Sequence, residues 1–338
     1  MGLDSKKAFK KICIRMPNWL GDFVMALPLL RSIKENHPQA QLTLIAKPQF
    51  KELIELFPVF DEFIALPSGA FSCFRELYSM GRSEKPDCQV LFTNSIRGDL
   101  EAWFVGADKR LGMAYPGRYR PLLTDVCRLD SLKDKLNGIH QTNLLENFLK
   151  SFGLINYVNS SPFKLEGTNR VPNRVGIVAG SSNNPQKCWS VEKWCALISK
   201  LSRQIPDLEF ILFGTASDCQ ISEAVAIGCG VPVLDVTGKT NMRELGKELA
   251  ACCLVVGNDT GGMHLANAVG TPVAVLFGPT NLLVTGPFFE GSKLFIQPEG
   301  CPREGGSSIQ LLDSNEVGAR LIDFLEDGLI SEGKMNVD

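Results

Sequence analysis

Histidine is scarce in this 338-residue chain, which holds only His37, His140 and His264. So few leave no support for a Ser-His-Asp nucleophile. No two aspartates stand as D-x-D, so no acidic pair is placed to hold a divalent ion against a diphosphate. There is neither a P-loop nor a G-x-G-x-x-G, which removes support for an ATPase or a dinucleotide dehydrogenase. The eleven cysteines form no CxxC pair. An odd, scattered count is neither a disulfide framework nor a zinc site, and it suits reduced thiols in a cytosol, most of them small core residues. A dominant charge is missing too: 35 Lys+Arg against 37 Asp+Glu leave a net charge of −2. Without a basic field, nucleic acid is not expected as the partner. No apolar run approaches the roughly 20 residues that span a bilayer. MGLDSKKAFKK at the start carries no apolar signal core, so a cytoplasmic location is expected.

What is present is alternation. KICIRM (11–16), QLTLIA (41–46), DEFIAL (61–66) and CQVLFTN (88–94) are strand-like runs separated by helix-like stretches at 22–37 and 48–57, with another at 97–107. After a polar stretch at 156–173 the pattern restarts with RVGIVAG (174–180), LEFILFG (208–214), VPVLDV (231–236), LVVGN (254–258) and VAVLFG (273–278). Short strands alternating with helices predict parallel sheets built from βαβ units. At this length two domains are expected. The reading is α/β: two Rossmann-like, doubly wound domains, 1–155 and 174–338, joined by a linker at 156–173 and facing across a cleft. The last helix is a candidate to pack back on the first domain. No internal sequence repeat is visible.

Doubly wound sheets bind ligands beyond the carboxyl ends of their strands, which selects a few turns. NDTGGMH (258–264) puts Thr260, Gly261 and Gly262 at a helix N-terminus, where open amides and the helix dipole attract anions. A helix cap formed by Asp259 or Thr260 is the plainer alternative. His264 could reach a ligand or pack. GSSNNPQKCW (180–189) offers Ser182, Asn183 and Lys187 to phosphate oxygens, or a solvated lysine to water. NWLGD (18–22) ends on Asp22, which suits a helix N-cap and equally a general base kept ionised. Pro28 is expected to kink that helix or to mark the start of its regular part.

Together these residues resemble glycosyltransferase family 9, the ADP-heptose:lipopolysaccharide heptosyltransferases. RMPNWLGDFVMALPLLRSIKENHPQAQLTLIA resembles the family's opening, and its P-x-W-x-G-D turn is most like the subgroup that adds the second heptose. FTNSIRGDLEAWFVGADKRLGM, the K-x-W of QKCW and the run NDTGGMHLANAVGTPVAVLFGPT match further family segments. The resemblance spans residues 10–325 or so. It implies a GT-B fold and inverting transfer of L-glycero-D-manno-heptose from ADP-heptose, a substrate rather than a cofactor, to the lipopolysaccharide inner core, with no cofactor and no D-x-D metal site. By resemblance Asp22 is the catalytic acidic residue, the proton acceptor, and Lys187 the donor-phosphate lysine. Asp259, Thr260, Gly261 and His264 belong to the donor site, with Gly262 in the same turn and Ser182 and Asn183 in a variable loop. Asp218 and Thr240 lie near the ribose and adenine.

An anionic acceptor at the inner face of a membrane calls for local positive charge on the first domain. Asn94, Arg97, Arg118 and Arg120 are the candidates. DKRLGMAYPGRYR (108–120), with Lys109 and Arg110, is read as a basic patch or a solvated loop. A nucleotide-sugar epimerase and a non-catalytic sugar-nucleotide-binding protein are the rival readings.

Overall fold

The computed structural model describes residues 9–129, 138–181 and 184–335, except the side chains of 328–335. The chain divides into two compact units, Met1–Ser161 and Pro162–Asp338.

The first unit holds a sheet of β1 (Lys11–Arg15), β2 (Gln41–Ala46), β3 (Glu62–Ala65), β4 (Cys88–Leu91), β5 (Lys109–Ala114) and β6 (Asp125–Arg128). All neighbours pair in parallel, in the order β3-β2-β1-β4-β5-β6. KICIR and QLTLIA are buried along nearly their whole length, as strands covered by helices on both faces must be. The helices are α1 (Leu20–Asn36), α2 (Lys51–Ile54), α3 (Ala70–Glu84), α4 (Ile96–Val105) and α5 (Gln141–Ser151). Pro28 lies inside α1, which begins eight residues before it. The helix expected over 48–57 is shorter: a 3-10 turn at Pro48–Phe50 and the single turn of α2. Strand β5 takes Lys109–Ala114 of the stretch read as a basic patch, and α3 occupies a segment for which the sequence pattern predicts no element.

The second unit repeats the winding. β7 (Val171–Val178), β8 (Glu209–Leu212), β9 (Val233–Asp235), β10 (Cys252–Asn258), β11 (Val273–Leu276) and β12 (Lys293–Ile296) are ordered β12-β11-β10-β7-β8-β9, again all parallel. Its helices are α6 (Val191–Gln204), α7 (Cys219–Gly228), α8 (Met242–Ala251), α9 (Gly261–Ala268), α10 (Leu282–Thr285) and α11 (Ser314–Met335). β7 starts at Val171, so the end of the polar stretch 156–173 is strand rather than linker. The last helix packs within this unit, where Val317, Leu321 and Leu325 join Trp194, Leu197 and Leu201 of α6 in one buried cluster.

In each sheet the chain winds outward from the first strand and then returns to its other side. The switch points fall between β1 and β4 and between β7 and β10. Helices there diverge to opposite faces and leave a crevice at the strands' carboxyl ends.

Candidate functional site

At the second sheet's switch point, the turn after β7 and the turn after β10 meet. Lys187 Nζ donates to Asp259 Oδ2 at 2.9 Å and to the Asp259 carbonyl at 3.2 Å. Asp259 is 4% exposed, and the Lys187 side chain only 23%. Two residues 72 apart in sequence thus form one charged element, which settles Lys187 as more than a solvated loop lysine. Asn258, buried at the end of β10, braces it. Its Nδ2 donates to the Ala179 carbonyl at 2.6 Å, and its Oδ1 accepts from the Trp189 amide at 3.3 Å. Asn258 sits in the quoted motif, yet sequence reasoning gave it no role; an asparagine closing a buried strand before a polar turn was the available signal.

Helix α9 starts beside this pair. Thr260 occupies its N-cap position but makes no side-chain cap bond, and its Oγ1 is buried without a partner among the described residues. Asp259 is committed to Lys187, so neither residue caps the helix and the cap alternative fails. An uncapped N-terminus presents its first amides and positive dipole end to an anion. A Cβ built at Gly262 would make only ordinary contact, 3.5 Å from the Val178 methyls. Packing does not require that glycine, whereas close backbone approach by a ligand would use it. Gly261 is the first residue of the helix. His264 is 5% exposed in a run, Met263–Ala268, that is buried throughout.

Two other expected donor residues lie in the turns beyond β8 and β9. Asp218 is 7% exposed, and its Oδ2 accepts from the Thr215 amide at 2.8 Å and the Thr215 hydroxyl at 2.7 Å, closing a capping box. A Cβ at Gly180 would stand 2.3 Å from Asp218 Oδ1, so strand end and carboxylate are packed together. Asp218 is therefore tied to the backbone and hydroxyl of its own turn. Thr240 follows β9, next to Asn241, which caps α8. Ser182 and Asn183 lie outside the described residues.

At the first sheet's switch point, Asp22 is the third residue of α1, and the N-cap position belongs to Trp19, which makes no side-chain cap bond. This corrects the N-cap reading of Asp22. Its carboxylate still lies in the first turn, where the dipole favours the anion. Tyr115, just past β5, lies close enough to sense that charge: burial first, then Asp22, pushes its phenol up, so an uncharged hydroxyl stands nearby. Beyond β4, Thr93 Oγ1 and Asn94 Oδ1 are buried without partners among the described residues. Orphaned oxygens at strand ends are where a ligand's hydroxyls would be received.

On the β2–β3 side of this crevice lies a cavity of about 280 Å³, lined in part by Arg15, Asn18, Lys47, Ser68, Ser95 and Arg97. Glu101, 1% exposed, holds Arg15 Nε at 2.6 Å and Arg97 Nε at 3.0 Å. Arg15 Nη2 also donates to Asn18 Oδ1 at 3.1 Å. Three cations against one carboxylate make the cavity electropositive. Of its cations, sequence reasoning named only Arg97. Arg15 reads as the end of a strand and Lys47 as a turn residue, and neither identity is distinctive alone.

The expected basic patch disperses. Arg120 is 2% exposed, its Nε donating to both Asp99 oxygens at 3.0 and 3.3 Å and its Nη1 to the Met113 carbonyl at 2.6 Å. A guanidinium so enclosed is a structural tie, which corrects its assignment to the acceptor. Lys109 pairs with Asp125 at 3.2 Å at the amino end of β5, opposite the strand ends where ligands bind, and the adjacent Arg110 Nε donates to the Leu122 carbonyl at 2.8 Å. Arg118, half-buried in the turn after β5, remains at the carboxyl end.

Two doubly wound α/β sheets, one ending in an uncapped, glycine-bearing turn and the other in an acid and a basic cavity, make an α/β chain of two Rossmann-like units. The model of glycosyltransferase family 9 (heptosyltransferase) matches residues 83–306, and the chain belongs to that family. It is 27% identical over 333 residues to lipooligosaccharide heptosyltransferase 2 of Haemophilus influenzae, covering 89% of this chain and 95% of the relative. It is also 22% identical to lipopolysaccharide heptosyltransferase 3 of Escherichia coli, covering 80% and 83%. The solved structure of the E. coli ADP-heptose lps heptosyltransferase II superposes with a TM-score of 0.75 at 23% identity, covering 94% of this chain and 99% of that one. The protein is a heptosyltransferase enzyme. Among the described residues no helix is long and apolar enough to cross a membrane.

Proposed function

We propose that this enzyme transfers heptose from ADP-heptose to the lipopolysaccharide inner core, at the second heptose, with inversion and without a metal ion. The observation that carries the donor half is the uncapped α9 N-terminus beside the Lys187–Asp259 pair. The diphosphate would take the amides at Gly261 and Gly262, the Thr260 hydroxyl and the Lys187 ammonium. These groups stabilise the charge that grows on departing ADP, a role for which fixed donors need no reorganisation. The acceptor hydroxyl oxygen forms the new bond to the anomeric carbon as the bond from that carbon to the phosphate oxygen breaks. The hydroxyl proton passes to Asp22, and attack from the face opposite the leaving group inverts the centre. Thr93, Asn94 and the cavity of Arg15, Lys47 and Arg97 would receive the acceptor's hydroxyls and acidic groups. Lysine and helix dipole supply the positive charge that a D-x-D enzyme takes from its cation.

The choice of the second heptose rests on the P-x-W-x-G-D turn and on relatives such as the H. influenzae enzyme. The test incubates enzyme and ADP-heptose with acceptors bearing no heptose or one, with excess EDTA, and reads products by mass spectrometry. Addition only to the one-heptose acceptor, undiminished by EDTA, is expected. Addition to the heptose-free acceptor, or loss of activity restored by magnesium, would overturn the position or the metal-free step respectively.

A further inference from the structure

Three large apolar side chains stand in solvent at one end of the first unit's sheet. Trp19 is 57% exposed, Phe71 81% and Ile96 73%. All three lie where helices leave the strand ends: Trp19 is the N-cap of α1, Phe71 the second residue of α3 and Ile96 the first of α4. Each is within three residues of a cavity-lining residue, respectively Asn18, Ser68 and Ser95. Lys47, from the cavity wall, lies with Nζ 5.6 Å from the centre of the Trp19 ring. The outcome is a cationic hollow fringed by apolar side chains.

Folding gains nothing from exposing these groups, and clustered exposed apolar residues mark an interaction surface. Its chemistry selects the occupant. Tryptophan with neighbouring lysine and arginine is the composition found where protein meets lipid headgroups. Cations attract an anionic leaflet while apolar side chains enter the boundary of its acyl chains. If the cavity receives the acidic head of a lipid-anchored acceptor, as proposed above, the bilayer holding that lipid must face the cavity mouth. We propose that Trp19, Phe71 and Ile96 form a docking rim that enters the interfacial layer of an anionic bilayer. The rim seats the Arg15–Lys47–Arg97 cavity over the acceptor. This inference rests on the acceptor half of the proposed function.

The test uses the purified full chain and co-sedimentation with vesicles of phosphatidylcholine alone or mixed with phosphatidylglycerol, and needs no acceptor. Binding to the mixed vesicles, weakened by added salt, is expected. The Phe71→Ser/Ile96→Ser double variant should lose about tenfold or more of that binding, because each lost side chain removes its own apolar burial. Ile227→Ser, at a 77% exposed position of the second unit, should bind like the parent. Transfer to a soluble, deacylated acceptor should be unchanged in the double variant, which shows that the cavity is intact. A parent that ignores anionic vesicles, or a double variant that binds them like the parent, overturns the proposal. So does an equal loss in Ile227→Ser. Vesicle binding by the parent and its loss in the double variant, together with no heptose transfer by the parent, would leave the docking surface standing and remove the heptose reading.

Discussion

Lys187→Ala tests whether the pair at the second switch point serves the donor. Lys187 gives its charge to a carboxylate that is 4% exposed and lies at the entrance to α9. Its removal has two consequences of the same sign. A cation disappears from the proposed diphosphate position, and the Asp259 carboxylate is left uncompensated next to the incoming phosphates. A hydrogen bond to a charged group contributes about 1.5–3 kcal/mol. At about 1.4 kcal/mol per decade that is roughly a ten- to hundredfold loss of ADP affinity. The orphaned carboxylate adds repulsion, so the loss belongs near the upper end. It should also appear in kcat, because negative charge grows on the leaving diphosphate and the lysine meets more of it in the transition state than in the ground state. Asp259→Asn in the same molecule removes the repulsive part, so the double variant should recover some ADP binding, a non-additive result expected of residues in contact. Calorimetric titration with ADP and melting curves on the same preparations measure both effects. A Lys187→Ala protein that melts like the parent and binds ADP within twofold of it would refute the assignment.

Three further outcomes follow from the geometry. Asp22→Asn keeps a polar first-turn residue and forfeits only the charge–dipole term of about 0.3–1 kcal/mol, yet it cannot accept a proton. Its kcat should fall about two to four orders of magnitude with ADP affinity and Tm little changed, and near-parental turnover would leave the mechanism without its base. Arg120→Ala strands the buried Asp99 carboxylate, which should cost about 3–5 kcal/mol and lower Tm by about 10 °C; a surface arginine would move Tm little. Asp218→Ala breaks the capping box at the end of β8 and should lower stability by about 0.5–2 kcal/mol while ADP affinity stays within a few-fold. A large affinity loss without a stability loss would assign Asp218 to the nucleoside site.

Much of this architecture is legible in sequence because a strand in a doubly covered parallel sheet must be apolar end to end. QLTLIA and LVVGN stand out for that reason, and both fold as expected. KRLGMA does not, since β5 begins with two half-buried cations and has a glycine in its buried part. Its charges dominate the local pattern, and the stretch reads as a loop. The same limit hides long-range pairing. Arg120 and Asp99 are 21 residues apart in a buried fork, and nothing local distinguishes that arginine from the half-buried Arg118. Lys187 and Asp259 are each visible as turn residues, yet their contact exists only because β7 and β10 are neighbours. Asp22 moves from cap to first-turn position because α1 begins at Leu20, and helix ends are the part of a sequence pattern least fixed by periodicity.

The two units share one winding, yet their switch points are chemically opposite, and that opposition supports the division of labour. A helix N-terminus offers positive potential that one anion can use. In the second unit Asp259 is turned to Lys187 and Thr260 makes no cap bond, so the potential at α9 is left for a ligand, and the glycines let a diphosphate approach the amides. In the first unit α1 carries an acid of its own, Asp22, within its first turn. That carboxylate takes up the helix's positive potential and would repel a diphosphate placed there. A carboxylate at that position is suited to receive a proton from a neutral hydroxyl. Positive charge in this unit lies instead in the cavity walls at Arg15, Lys47 and Arg97, reached from the β2–β3 side. This contrast is what the proposed function uses when it assigns the diphosphate to the second unit and the hydroxyl nucleophile to the first. Moving the acid from one switch point to the other, with Asp22→Gly in one variant and Gly262→Asp in another, should follow that logic. Gly262→Asp should abolish ADP binding, since it sets a carboxylate against the phosphates. Asp22→Gly should leave ADP binding intact and remove transfer. If Gly262→Asp still binds ADP like the parent, the diphosphate does not lie at α9.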